Sequence, residues 1–155
     1  MRIFEARDGQ HHGTTRVMAL TLLRVFVGLV FVIHGTHKLD DIAGTAAGFA
    51  KLGIPAPEAA VYLAILGELF GGLGLMLGAL TPLAAMGPVL AMASAIYFVH
   101  RDKGMLNQNG GWEWPLTLLL VCLFFAASGP GPVSVDELAT RFRRRPRRLA
   151  ATTRP

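Results

Sequence analysis

The sequence predicts an all-α integral membrane four-helix bundle with both termini in the cytoplasm (N-in/C-in). Three observations carry the prediction: an apolar composition, four apolar runs near membrane length, and a one-sided placement of Lys and Arg. Of 155 residues, 52% are hydrophobic and only 16% charged, and the mean hydropathy is +0.46. Soluble domains carry about a quarter charged residues, so this chain is too apolar for water. The length is one domain's worth, and the 18 glycines suit membrane helices better than soluble ones. Cys122 is the single cysteine, which excludes an intrachain disulfide and a CxxC redox site.

The elements follow in order. Residues 1–16 form a polar N-terminal tail with no signal-peptide cleavage site after the apolar run that follows. The first span covers residues 17–35, just long enough for a hydrocarbon core of about 30 Å. A polar connection then holds a short interfacial helix over 45–52, ended by Gly53, Pro55 and Pro57. The second span covers 58–80 and the third 83–100, joined by a turn at Thr81 and Pro82 that suits a helix start. After a polar loop, Trp112 and Trp114 open the fourth span, 112–128, as an interfacial aromatic pair. Gly129 to Pro132 stop it. Residues 129–155 form a basic tail, in which Ser134-x-x-Glu137 resembles a capping box for a short amphipathic helix over 135–144.

Lys and Arg set the orientation. The two tails carry Arg2, Arg7, Arg16 and seven C-terminal arginines from Arg141 to Arg154; the other side carries Lys38, Lys51, Arg101 and Lys103. The tails are therefore expected inside. The pI near 10.1 raises nucleic acid as a partner. The arginines directly follow the last apolar run, however, and only Phe142 is interleaved with them. Anionic lipid headgroups are the expected partner and nucleic acid is not.

Charged residues inside the spans point to function, because each is costly to bury unpaired. Arg24 lies about 10 Å from the inner face and Glu68 about 14 Å from the outer one. Their Cα heights then differ by about 6 Å, so the two are expected to pair or to line one polar cavity. His34, His37, Lys38, His100, Arg101 and Glu113 are expected at one level, around a mouth leading down to Glu68. The alternative for Arg24 is snorkelling to the inner face. No strict metal-ligand spacing occurs, and no metal is expected. Gly67, Gly71, Gly74 and Gly78 form a smooth stripe on the second span, expected to pack inside the bundle rather than between copies.

The same residues, in this order, resemble the DoxX family of small four-helix bacterial membrane proteins. The resemblance runs over R-x-x-x-G-L-x-F-x-x-H-G-x-x-K at Arg24 to Lys38 and LGIPAP at Leu52 to Pro57. It continues through E-x-x-G-G-x-x-L-x-L-G at Glu68 to Gly78, a G-x-E step at Gly111 to Glu113, and GPGPVSVDEL at Gly129 to Leu138. Arg24, His34, Lys38, Glu68, Glu113 and Asp136 fall on the family's polar positions. The resemblance implies a bacterial inner-membrane protein loosely tied to quinone redox chemistry and to oxidative stress. It would be an accessory subunit or quinone-interacting component of a membrane oxidoreductase, with a membrane or redox partner protein. Quinone is the expected cofactor, and Arg24, His34, Lys38, Glu68, His100 and Glu113 are the expected binding residues. A non-catalytic assembly subunit and a small transporter are the alternatives. An independent enzyme has least support, since no nucleophile–base, nucleotide or metal motif is present.

Overall fold

A computed structural model describes the backbone of residues 2–142 and the side chains of residues 13–142. The arginines beyond Arg141, singled out from sequence, lie outside the described residues. Helix α1 runs Arg2–Asp40 without a break. The polar residues before Val17 thus continue the first span as one element, and the span itself extends past the expected end at Gly35. Asp41 then ends α1 and starts α2 (Ile42–Lys51), its carboxylate accepting from Gly44 N at 2.8 Å. An acidic side chain in this position satisfies a backbone donor that the new helix leaves free.

The Pro-rich connection works as its chemistry requires. Helix α3 (Pro57–Leu77) begins on Pro57, whose missing N–H is not needed there, and ends at Gly78 in the left-handed conformation, φ 66°. Leu80 (φ 48°) completes a tight reversal into α4 (Thr81–Ala95), which continues as a π-helical turn, Ile96–His100. Two short 3₁₀ turns, Arg101–Lys103 and Asn107–Asn109, lead to α5 (Glu113–Ser128). Gly129 and Gly131, both with positive φ, turn the chain back, and residues 135–142 form α6 as far as the described residues reach. Glu137 N donates to Ser134 Oγ at 3.1 Å, one half of the expected capping box.

Helices α1, α3 and α4 are each long and apolar enough to cross a membrane (Gly13–Asp40, Pro57–Leu77 and, with its extension, Thr81–Lys103). Helix α5 is apolar but 16 residues long. Packing follows chain order, α1 on α3, α3 on α4 and α4 on α5. All four contribute to one core: Val27 and Phe31, Leu75, Ala85, and Leu118, Cys122 and Phe125. The outer surface is apolar too, with Leu22, Leu63, Phe70, Leu83 and Leu90 exposed, as lipid contact requires.

The glycine stripe is consumed inside the chain. A Cβ on Gly67 would lie 3.3 Å from Gly87 Cα, and one on Gly71 would meet the Pro88 ring and, at 2.6 Å, the Ala84 carbonyl. Pro88 lacks the N–H that would otherwise bond this carbonyl, and Gly71 lets α3 close over it. On the other side, Gly28 and Gly72 bring α1 and α3 together, each leaving no room for a Cβ on its partner.

Candidate functional site

Two polar nodes interrupt the apolar interior, one at each end of the α1–α3 seam. At the end away from the termini, Lys38 Nζ donates to Glu68 Oε2 at 2.6 Å. Glu68 is 3% exposed on the inner face of α3, so its charge has no route to water. His34 lies one turn before Lys38 on the same face of α1, within electrostatic range of both charges, and its ring stands on the bundle surface. Lys38 keeps two further N–H donors and Glu68 keeps Oε1 as an acceptor.

At the other end, Arg24 is 2% exposed and donates from Nη2 to the Val133 carbonyl at 2.7 Å. Asp136 sits beside it. The Asp136 carboxylate accepts from Leu80 N at 2.9 Å and from Thr81 N at 3.2 Å, while Asp136 N donates to Gly78 O at 3.1 Å. The C-terminal segment therefore caps α4 and seals the α3–α4 turn over the arginine. Gly78 is required at this spot, since a Cβ there would collide with the guanidinium.

This arrangement corrects the expected Arg24–Glu68 pair, which does not form. Cα–Cβ bonds tilt toward the N-terminus of their own helix. On α1 that direction sends Arg24 toward the termini; on the antiparallel α3 it sends Glu68 the opposite way. The same tilt brings Lys38 down toward Glu68. Similar Cα height is not enough when the side chains diverge.

Among the other expected residues, His100 and Glu113 are engaged in the polar loop. His100 Nδ1 is 2.6 Å from Gly110 O, and Glu113 Oε1 accepts from Asn107 N at 2.6 Å. Neither bonds Lys38 or Glu68 among the described residues. His34, Lys38 and Glu68 are thus brought together, whereas Arg24, His100 and Glu113 are held elsewhere. No group of three or more His, Cys, Asp or Glu suited to a metal occurs among the described residues. Asp136 was not among the expected binding residues, although the start of α4 carries a signal for it. Leu80 occupies the N-cap and offers no side-chain acceptor, so a cap has to come from elsewhere.

The DoxX family model matches residues 19–101. The chain is 31% identical over 115 residues to a Bacillus subtilis (strain 168) protein named "Putative oxidoreductase CatD", covering 74% of this chain and 82% of that one. It is 29% identical over 131 residues to the inner membrane protein YphA of Escherichia coli (strain K12), covering 81% and 93%. It is 32% identical over 127 residues to the uncharacterized membrane protein Rv3486 of Mycobacterium tuberculosis (strain ATCC 25618 / H37Rv), covering 74% and 77%. No solved structure matches the chain.

Proposed function

Since the chain belongs to the DoxX family, we propose that it is a redox-linked accessory component of a membrane oxidoreductase that binds quinone at the α1–α3 seam. One observation carries the proposal: the Lys38–Glu68 pair, 2.6 Å long and set in an apolar wall, with His34 one turn away on the bundle surface. An apolar slot with a few convergent polar groups is the usual make-up of a small-molecule site. The name of the Bacillus subtilis relative supports a redox role.

The three residues fit a quinone headgroup in kind. Lys38 Nζ and a His34 ring nitrogen are donors suited to carbonyl oxygens, and Glu68 Oε1 is an acceptor suited to a hydroxyl. Bound quinone would supply two-electron, two-proton chemistry. Glu68, held by Lys38 and shielded from water, would keep a proton acceptor at a fixed place in the α1–α3 seam. His34 faces outward, so the headgroup would arrive sideways from the bilayer. Arg24, His100 and Glu113 then act at a distance, by holding the two ends of the bundle in shape.

In the same proposal α5, with Trp112 and Trp114 at its start, is a fourth crossing, and both termini are cytoplasmic in a bacterial inner membrane. The Arg-rich tail lies on anionic headgroups of that face. Reporter fusions at the C-terminus and in the 101–111 loop would test the orientation, and an external C-terminus would overturn it.

The quinone site is tested with purified protein in nanodiscs, titrated with a short-chain quinone and read by quenching of Trp112 and Trp114. Glu68→Gln and His34→Ala should each weaken binding about tenfold, or about 1.4 kcal/mol. Equal binding by all three proteins, or none by the native chain, sinks the proposal. A stable partner complex that keeps full activity with Glu68→Gln would favour a non-catalytic assembly role instead.

A further inference from the structure

At the terminal end of the bundle, a groove of about 330 Å³ lies between the start of the first apolar run and the segment that follows α5. Its walls are Val17, Leu20, Pro130 and Pro132, with Arg16 and Thr21 as the polar groups. We propose that this groove binds the phosphate-bearing headgroup of an anionic phospholipid. The site is separate from the α1–α3 seam and does not depend on the quinone proposal.

Four features lead there. First, the groove has the volume at which ligand pockets begin, about 300 Å³. Second, it stands at the polar–apolar boundary: Arg16 is the last charged residue before the run that opens at Val17. Basic pockets between membrane helices at this level are typical headgroup sites, with the cation toward the phosphate and apolar walls toward the glycerol and upper chains. Third, Arg16 is exposed and has no ion-pair partner among the described residues. Thr21 Oγ1 donates its proton to Val17 O at 2.8 Å, so only its acceptor lone pairs face other ligands, such as a glycerol hydroxyl.

The fourth feature is rigidity of the far wall. Gly131 O accepts from Ser134 Oγ at 2.8 Å, and the next carbonyl but one, Val133 O, is held by the buried Arg24. Segment 130–133 is thus fastened against α1 from within the bundle, and the groove is present before any lipid arrives. A phospholipid seated there would bridge the first helix and the segment after the last one.

The test uses the full chain, purified in mild detergent and offered an equal mixture of phosphatidylglycerol and phosphatidylcholine, with retained lipid counted by native mass spectrometry. The native chain should keep one phosphatidylglycerol in preference to phosphatidylcholine. Arg16→Gln should lower that retention about fivefold, the effect of about one basic residue near an anionic headgroup. Gly13→Leu serves as the charge-neutral variant. Gly13 also lines the groove, and a Cβ there meets nothing within 4 Å, so a leucine has room at its edge without disturbing α1, and retention should fall similarly. Replacing the arginines from Arg143 onward with Gln should leave this one lipid in place. Equal retention of the two lipids, unchanged retention in Arg16→Gln and Gly13→Leu, loss only in the tail variant, or displacement by millimolar inorganic phosphate would each overturn the proposal.

Discussion

Lys38 and Glu68, thirty positions apart, meet at 2.6 Å across the α1–α3 seam, and their exposures are unequal. The lysine side chain is 20% exposed and the glutamate 4%. Left alone, Lys38 reaches water by straightening its stem, whereas Glu68 has no such route.

The inequality gives a direction to the first prediction. Lys38→Met strands a buried carboxylate and should cost about 3–5 kcal/mol of stability. Glu68→Gln should cost less than half as much, and the double variant Lys38→Met/Glu68→Gln should recover most of the loss. Thermal or denaturant unfolding in detergent measures all three. Equal costs for the two single variants would show that Glu68 is not isolated from water.

Asp136 carries two backbone caps and the charge beside Arg24. Asp136→Ala should destabilise the bundle by about 1–2 kcal/mol, the cost of a lost N-cap. Asp136→Asn keeps one acceptor oxygen and should fall between. Limited proteolysis should cut the segment after Ser128 faster in Asp136→Ala than in the native chain.

Two glycines in the same fold should respond with opposite signs. Gly71→Ala forces a methyl into the Ala84 carbonyl and the Pro88 ring, costing about 1–3 kcal/mol by overpacking. Gly48, in α2, has nothing within 4 Å of a built Cβ, and Gly48→Ala should stabilise by about 0.5–1 kcal/mol through helix propensity. Unfolding midpoints of the two variants suffice to check this.

Cys122 is fully buried among core side chains of the bundle. It should resist N-ethylmaleimide in the folded protein and react only on unfolding. Mass spectrometry of alkylated protein across a denaturant series should therefore track the unfolding curve. Rapid labelling of native protein would mean that the core opens locally.

Much of this architecture is legible in the sequence because membrane helices announce themselves by length and apolarity. The three long apolar helices and the internal use of the glycine stripe follow from residue types in their positions. The polar interior is harder. Counting residues places Arg24 and Glu68 at similar heights, but the antiparallel directions of α1 and α3 send their side chains apart, and a height estimate omits direction. Lys38 was expected at the mouth, not as the partner of Glu68, because a lysine's reach is set by a long flexible stem. Asp136 is the least legible. Its contact with Leu80 spans 56 positions, and nothing local to Asp136 names the helix that it caps.

That long-range cap has a consequence for how the chain is made. The α3–α4 hairpin is translated and can enter the bilayer well before Asp136 leaves the ribosome. Until then Leu80 N and Thr81 N lack the carboxylate, and Arg24 lacks the Val133 carbonyl. The nascent helices are therefore inserted first and locked last. A chain cut before Val133 would keep the α3–α4 hairpin unlatched, with Leu80 N and Thr81 N uncapped and Arg24 without its carbonyl.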